Sequence, residues 1–316
     1  MKHILSLQNI SKSFENTKVL ENISLDIDKG KIISLLGKSG SGKTTLLNII
    51  AGFETSDSGM MNLSNKIIFD KNTFIEPQKR NIGFVFQNYA LFPHMNIFDN
   101  ITFGIDNKVL EEKKKIVSGL LKLVDLEGLE KRYPHELSGG QQQRIALVRS
   151  MALNPQVILL DEPFSSIDSM IKSTIQKQLL KILKNSHKTA IIVTHDANEA
   201  MALSDKIIYL EEGKIIQYDT PQNIYKYPKS KEVASSFGIA SFIVNEGKTY
   251  CIRPNDISFV KDGRYQAYIK NKLYQGEKYI YEVEVKEELI TLYSTEDIQD
   301  DYAKVEINWK NLSVIN

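Results

Sequence analysis

The residues with the clearest chemical pattern form a glycine-rich run, Gly37-Lys38-Ser39-Gly40-Ser41-Gly42-Lys43-Thr44. The run fits G-x-x-x-x-G-K-[ST], a spacing whose glycines let successive backbone N–H groups point inward around phosphate oxygens. In this arrangement Lys43 is expected to meet the β- and γ-phosphates of a nucleotide, and the hydroxyl of Thr44 to bind Mg²⁺. A glycine-rich turn without a ligand is the alternative.

The neighbouring residues indicate the elements that must position this run. Residues 32–36 form a strand-sized apolar segment before it, and residues 45–51 form a plausible helix that ends at Gly52. A strand, a loop and a helix in this order bring a helix N-terminus, with its partial positive charge, against the phosphates. The context therefore favours nucleotide binding over a plain turn.

Two adjacent carboxylates follow a second apolar segment. Residues 157–160 are Val-Ile-Leu-Leu, which is typical of a buried strand, and Asp161 and Glu162 come directly after them. Because strands of a parallel sheet present their carboxyl ends to the ligand, Asp161 is expected to hold Mg²⁺ and Glu162 to polarise the attacking water. Adjacent acids more often begin a solvated loop, but the phosphate-binding run in the same chain favours the catalytic interpretation.

A second anion-binding pattern is the run Leu137-Ser138-Gly139-Gly140-Gln141, which precedes a helical pattern ending near Asn154-Pro155. Ser138 is expected to be the N-cap, and the two glycines free the backbone of the helix N-terminus to face phosphate oxygens. A simple capped helix explains the serine but not the glycines and glutamines. One chain is thus predicted to carry two anion-binding sites.

Together these motifs resemble the ATP-binding cassette family, whose signature is Leu-Ser-Gly-Gly-Gln, over about residues 4 to 235. Other family motifs follow in family order: the adenine-stacking aromatic at Phe14, the Q-loop at Gln87, the D-loop at Asp168 and the switch histidine at His195. By this resemblance the catalytic residues are Glu162, His195, Gln87 and Lys43. The implied nucleotide-binding residues are Phe14, Gly37, Ser39, Gly40, Ser41, Gly42, Lys43, Thr44, Thr45, Ser138, Gly139, Gly140, Gln141 and Asp168. The implied magnesium ligands are Thr44, Gln87 and Asp161.

The family mechanism gives both anion-binding sites a role. In ATP-binding cassette proteins two cassettes pack head to tail, and the phosphate loop of one and the signature of the other enclose a single ATP. The resemblance thus implies a homodimer in which Ser138 and Gly140 contact a γ-phosphate across the interface. The resemblance implies that opening and closing of this dimer performs the mechanical work of the protein.

The hydrophobic patterning divides the chain into two predicted domains. Short apolar strands alternate with amphipathic helices, such as 110–124 and 168–184, which predicts an α/β domain with a largely parallel sheet over 1–238 and a helical subdomain at about 88–156. Beyond the polar segment 219–231 the pattern alternates every second residue, as in Tyr281, Val283 and Val285. This predicts a small all-β, OB-like domain at 239–316.

Composition excludes several function classes. Forty basic against thirty-nine acidic residues leave a net charge of +1, so no general field attracts nucleic acid. The single cysteine, Cys251, cannot form an intramolecular disulfide, which suits a reducing compartment.

The apolar runs are far shorter than the roughly 20 residues that span a bilayer. The opening residues also lack the pattern of a secretory signal, so the start is expected to be mature protein.

Within the family the sequence is similar to the ATPases of importers for ferric iron, polyamines, sulfate and maltose. The segments 84–104 and 161–165 look most like the ferric and polyamine members. Residues 251–257 resemble the Arg-Pro-Glu-Asp-Ile element of the TOBE domain, with Asn255 in place of the glutamate. The expected function is therefore the ATP-hydrolysing subunit of an importer, of ferric iron first, with spermidine or putrescine, sulfate or molybdate as alternatives.

The resemblance also implies partners and a location. Residues 87–95 are expected to line a groove for integral membrane permease subunits, which places the chain at the cytoplasmic face of the inner membrane and links it indirectly to a substrate-binding protein. A non-transport ATPase of this family usually has a long coiled coil or two cassettes, and the sequence shows neither. A protein that uses ATP only as a switch would be expected to lack Glu162 or His195, and both are present.

Overall fold

The computed structural model describes residues 3–105, 108–165, 167 and 169–315. The chain forms two compact units, Met1–Tyr218 and Asp219–Asn316. The predicted D-loop residue Asp168 lies outside the described residues. No helix in the described part of the chain has both the length and the apolar character needed to cross a membrane.

The first unit contains the alternating strands and helices that the sequence predicts. Its strands are β1 (His3–Phe14), β2 (Thr17–Asp28), β3 (Ile32–Leu36), β4 (Ser58–Leu63), β5 (Lys66–Phe69), β6 (Ile82–Val85), β7 (Val157–Asp161), β8 (Thr189–Val193), β9 (Lys206–Glu211) and β10 (Lys214–Asp219). Its helices are α1 (Lys43–Ala51), α2 (Ile97–Thr102), α3 (Leu110–Leu123), α4 (Gly139–Met151), α5 (Ser169–Asn185) and α6 (Ala197–Leu203).

A six-stranded sheet in the order β10-β9-β3-β8-β7-β6 forms the centre of this unit. The pairs β3 with β8, β3 with β9, β7 with β8 and β6 with β7 are all parallel, which confirms the predicted α/β fold. All five residues of β3 and of β8 are buried, because both faces of this sheet are covered. Ile32 and Ile192 pack into a core that includes residues of α3, α4 and α5, and Ile33 and Val193 pack into a second core with α1.

The second core is closed by a four-stranded antiparallel sheet in the order β2-β1-β4-β5. Leu5 and Leu7 of β1 and Leu25 and Ile27 of β2 point into this core at every second position, as a sheet with one buried face requires. Helix α1, which follows the glycine-rich run, therefore lies between the two sheets. On the other face of the central sheet, residues 88–156 contain α2, α3 and α4, in the segment predicted to be helical.

The second unit is mainly antiparallel sheet. Its elements are α7 (Pro221–Lys226), α8 (Lys231–Ser236), β11 (Ser241–Asn245), β12 (Lys248–Ile252), β13 (Ile257–Phe259), β14 (Tyr265–Tyr274), β15 (Tyr279–Val285), β16 (Glu288–Ser294), β17 (Tyr302–Ile307), a 3₁₀ turn (Trp309–Asn311) and β18 (Ser313–Ile315). They form a five-stranded sheet, β13-β17-β14-β15-β16, and a three-stranded sheet, β11-β12-β18. The expected small all-β module is confirmed.

The core of the second unit follows the alternation seen in the sequence. Tyr281, Val283 and Val285 are fully buried, together with Ile290 and Leu292 of the next strand. The two short helices α7 and α8 also belong to this unit. The two compact units meet between Tyr218 and Asp219. This division does not test where one domain ends and the next begins, so the domain boundary at 238/239 stays a prediction.

Candidate functional site

The glycine-rich run forms a tight loop between β3 and α1, as predicted. A Cβ atom at Gly37 would lie 2.1 Å from the carbonyl oxygen of Leu210, so no larger residue fits there. Gly42 is the N-cap of α1 with φ of 100°, and a Cβ atom there would lie 2.7 Å from the carbonyl oxygen of Val19. These two glycines are required by close approach of neighbouring backbone, which fixes the shape of the loop.

Lys43 is the first residue of α1 and is only 7% exposed. Its Nζ donates hydrogen bonds to the carbonyl oxygens of Gly37 and Lys38, both at 2.8 Å. Burial lowers the pKa of this ammonium group, whereas the negative charges of Glu162 and Asp161 raise it. The loop therefore holds a buried cation beside two carboxylates.

The carboxylates reach the loop because of the strand order in the central sheet. β3, β8 and β7 are neighbours, so the loops that follow them meet at one edge of the sheet. Asp161 is the last residue of β7, and burial and the adjacent charge of Glu162 raise the pKa of its carboxyl group, while Lys43 lowers it. The charges at this edge are thus coupled to each other.

Glu162 has a φ angle of 42°, in the left-handed region that non-glycine residues rarely adopt. Strain of this kind is often found at functional sites. Its Oε2 lies 3.4 Å from Nδ1 of His195 and 3.5 Å from Nε2 of Gln87. The structure therefore brings together three of the four side chains that the sequence predicts to be catalytic, Glu162, His195 and Gln87.

Ser165 is a polar contact of this group that the sequence analysis did not identify. Its hydroxyl accepts a hydrogen bond from Nε2 of Gln87 at 3.0 Å and donates one to the carbonyl oxygen of Glu162 at 3.0 Å. It lies three residues after Glu162 in a serine-containing segment, so its sequence position was the only available signal. Ser165 thus ties the Q-loop to the loop after β7.

A cavity of about 480 Å³ opens beside the loop. Its lining residues are Phe14, Val19, Ser39, Gly40, Gly42, Lys43, Thr44, Thr45, Glu162 and His195. The hydroxyl of Ser41 is buried next to it and has no hydrogen-bond partner among the described residues. Phe14 is 45% exposed at the cavity, with Nζ of Lys12 4.8 Å from its ring centroid. A planar apolar ring, backbone N–H groups and a cation in one cavity suit a nucleotide.

The signature residues form a separate site. Ser138 is the N-cap of α4 and makes a capping box with Gln141, in which each side chain accepts a hydrogen bond from the backbone N–H of the other residue. Ser138, Gly139 and Gly140 line a different cavity of about 470 Å³, together with residues of α5. Within one chain, the structure does not bring the phosphate loop and the signature together.

Helix α4 connects the signature to the loop after β7 and to the predicted Q-loop through residues that the sequence did not single out. The buried side chain of Gln143 donates to the carbonyl oxygen of Pro163 at 2.9 Å. Arg149 donates to the carbonyl oxygens of Ala90 and Tyr89 at 2.7 and 3.2 Å. Tyr89 and Ala90 have φ angles of 62° and 47°, so Arg149 supports a strained part of the Q-loop.

A charged cluster lies behind the predicted switch histidine. Lys172 of α5 forms ion pairs with Asp196 at 3.2 Å and with Glu199 at 2.6 Å. Glu199 also accepts a hydrogen bond from the hydroxyl of Thr194, and Asp196 is the N-cap of α6. Thr194 and Asp196 flank His195, so this cluster fixes the backbone that carries the histidine.

Comparison with known proteins gives consistent results. A family model described as ABC transporter matches residues 20–165. Two curated proteins of Haemophilus influenzae, named Fe(3+) ions import ATP-binding protein FbpC 2 and FbpC, are each 44% identical over 238 residues. The aligned region is 74% of this chain and 67% and 68%, respectively, of those proteins.

Solved structures give the same result for the fold. cbiO1 of Clostridium perfringens, part of the ABC transporter complex cbiONQ, is 30% identical with a TM-score of 0.65, covering 71% of this chain and 91% of its own. The cassette MJ0796, solved as a dimer with ADP and Pi, is 33% identical with a TM-score of 0.59, covering 69% of this chain and 98% of its own.

Proposed function

The chain belongs to the ABC transporter family, and we propose that it is the ATP-hydrolysing subunit of an importer for ferric iron. The family resemblance predicted from the motifs is thereby confirmed. The observation that carries the proposal is the meeting of Lys43, Glu162 and His195 at one cavity, in a chain similar to two ferric-iron import proteins.

Each part of the cavity supports ATP binding. The ring of Phe14 offers a surface on which adenine stacks, and the backbone N–H groups of the loop together with Lys43 bind the phosphates. Ser39, Gly40, Thr44 and Thr45 line the same cavity. The Lys43 ammonium group then exchanges its contacts with two carbonyl oxygens for charge-assisted hydrogen bonds to phosphate oxygens.

The residues at this cavity also fit Mg²⁺. This ion is usually held by one or two carboxylates together with substrate phosphates. Thr44 lines the cavity, and Asp161 directly precedes Glu162, which also lines it, so a hydroxyl and a carboxylate are available as oxygen ligands. When bound, the ion neutralises charge on the phosphate oxygens. Gln87 is proposed as a further ligand on the resemblance alone.

Glu162 is the proposed general base for the attacking water. Its carboxylate lies on the same cavity as the phosphate loop, within reach of His195 and Gln87. We assign His195 and Gln87 the role of orienting this carboxylate and the water. The strained backbone of Glu162 is held by a hydrogen bond from its N–H to the carbonyl oxygen of Val193 at 3.0 Å.

The separation of the two anion-binding sites supports a head-to-tail homodimer. Because Ser138 and Gly140 line one cavity and Lys43 lines another, the signature of a second chain is needed to enclose a nucleotide on the phosphate loop. The dimer of MJ0796 with ADP and Pi is a precedent among similar structures. Asp168 is proposed at this interface from its sequence motif alone.

Coupling to membrane permease subunits is proposed at the Q-loop. Phe86 and Phe103 near it are 38% and 57% exposed, whereas Tyr89 is buried. Phe86 directly precedes Gln87, the residue that contacts Glu162, and Phe103 packs against Phe92 with ring centroids 4.4 Å apart. These exposed rings offer apolar surface to a partner on either side of residues 87–92. We place the chain at the cytoplasmic face of the inner membrane, with the permease between it and a substrate-binding protein.

Uptake of labelled ferric iron, spermidine and sulfate in a strain that lacks this gene tests the proposal. Cells are complemented with the wild-type chain, with Glu162→Gln or with the exposed control Glu127→Gln. We expect only iron uptake to fall and only the wild type and the control to restore it. Loss of spermidine or sulfate uptake instead would contradict the iron assignment, and no loss of any uptake would contradict the importer.

A further inference from the structure

The second unit contains a polar cavity of about 200 Å³ that is lined by none of the nucleotide-site residues. Lys226, Cys251, Arg253, Asp256, Lys310 and Ser313 are among its lining residues. Since a water molecule occupies about 30 Å³ in the liquid, the space admits a small molecule of a few heavy atoms.

Arg253 is the most deeply buried charge at this cavity, at 5% exposed. Its Nη1 donates to the carbonyl oxygens of Ala234, Gly238 and Ile239 at 2.9, 3.1 and 3.1 Å, and its Nη2 donates to that of Tyr225 at 3.1 Å. The ring of Tyr225 covers one face of the guanidinium group at 4.2 Å. The guanidinium group of Arg253 is thus held in place by four backbone carbonyl groups.

Two buried polar atoms at the cavity lack a hydrogen-bond partner among the described residues. They are Nε of Arg253 and Oγ of Ser313, and Ser313 is 9% exposed. Buried donors are nearly always paired in folded proteins, so two such atoms on residues that line one cavity indicate a missing acceptor.

The charges at the cavity favour an anion. Lys226, Arg253 and Lys310 are opposed by one lining carboxylate, that of Asp256. This carboxylate already accepts a hydrogen bond from the backbone N–H of Arg253 at 2.9 Å. Both lysines are exposed at the surface, where their ammonium groups remain free to turn toward a ligand.

We propose that this cavity binds a small oxyanion, bearing phosphate, sulfate or carboxylate groups, through Arg253, Ser313, Lys226 and Lys310. Oxygen acceptors of such an ion pair the orphaned N–H and hydroxyl groups and neutralise the excess positive charge. All residues named at this site belong to the second unit.

Cys251 provides a site-specific measurement, because it is the only cysteine in the sequence and lines this cavity. Its side chain is buried, and burial raises the pKa of the thiol, so alkylation requires local opening. The rate of alkylation by iodoacetamide is measured on the full chain with the phosphate loop saturated by ADP, in the presence of inorganic phosphate, sulfate or malonate. At an anion concentration ten times the Kd, the rate is expected to fall about tenfold.

Variants distinguish this site from general salt effects. Lys226→Met combined with Lys310→Met is expected to abolish the protection, and Ser313→Ala to weaken it. The matched control Lys248→Met, an exposed lysine of β12, keeps it. An unchanged rate of Cys251 alkylation in the absence of anion verifies that the second unit of each variant is folded.

The three anions separate the possible ligand classes. Protection by phosphate and sulfate alone assigns a tetrahedral oxyanion, and protection by malonate alone assigns a carboxylate. A change in the NMR signal of the Arg253 Nε–H on anion addition supports either assignment. No protection by any of the three, or equal protection in the double-lysine variant, overturns the proposal.

Discussion

Replacing Glu162 by Gln removes one negative charge and preserves the length of the side chain. The carboxylate that is lost lies 3.4 Å from Nδ1 of His195 and 3.5 Å from Nε2 of Gln87. We expect ATP hydrolysis to slow by roughly 10²- to 10⁴-fold, the usual contribution of a general base. At 1.36 kcal/mol for each factor of ten, this is about 2.7 to 5.5 kcal/mol of activation free energy.

Binding of ATP is expected to survive this substitution. In the proposed site the phosphates are held by the loop and by Lys43, whose Nζ is positioned by the carbonyl oxygens of Gly37 and Lys38 rather than by a hydrogen bond to Glu162. After burial, the charge of Glu162 is the next largest cause of the raised pKa of Asp161. Its removal therefore favours the ionised form of Asp161, which is the form that holds Mg²⁺.

Steady-state phosphate release at saturating ATP and Mg²⁺ measures the rate of hydrolysis. Titration with a fluorescent ATP analogue measures the binding of ATP. Glu127→Gln, the same chemical change at an exposed position, is the control. A turnover within about tenfold of the wild type, or 1.36 kcal/mol, would refute the role of Glu162 as the base. Loss of ATP binding would instead show that Glu162 organises the loop.

Three further substitutions test other parts of the site. Arg149→Met removes two hydrogen bonds to Q-loop carbonyl groups and is expected to lower the free energy of unfolding in urea by about 2 to 3 kcal/mol. Lys172→Met is expected to destabilise the chain at pH 7 by about 1 to 2 kcal/mol, measured by thermal melting. Burial raises the pKa of Asp196, but the hydrogen bond from Lys172 holds it below its ordinary value of 3.8. The stability that comes from this pair is therefore present above pH 3.8, and the part of the deficit due to Asp196 should disappear as the pH falls below that value. Phe14→Ala removes a ring that is 45% exposed, and base stacking worth about 1 to 3 kcal/mol predicts weaker ATP binding in a fluorescence titration with little change in turnover at saturation.

The sequence by itself determined the local elements of the nucleotide site. β3 begins and ends where the apolar run does, α1 ends at Gly52 with a left-handed cap, and Ser138 caps α4. These features depend on residues a few positions apart, namely apolar runs, glycines and capping side chains. Local patterns of this kind are visible without knowledge of the rest of the chain.

The tertiary structure decided which of these elements meet. The order β3-β8-β7 places His195 and Glu162 at the same cavity as Lys43, although they are far apart in the sequence. It also places Ser138 at a different cavity, and the proposed head-to-tail homodimer rests on this separation. Sheet order depends on long-range packing that no local pattern specifies.

The residues that support the site, Arg149 and Lys172, can be recognised only from the folded structure. Arg149 and Lys172 lie on helices whose sequences show only amphipathic periodicity, and their partners come from distant loops. The same holds for Arg253, whose guanidinium group became a candidate anion site only when helices and strands of the second unit enclosed it. A lone basic residue in a sequence does not reveal whether water, a carboxylate or a carbonyl group will surround it, because its burial is decided by the whole folded chain.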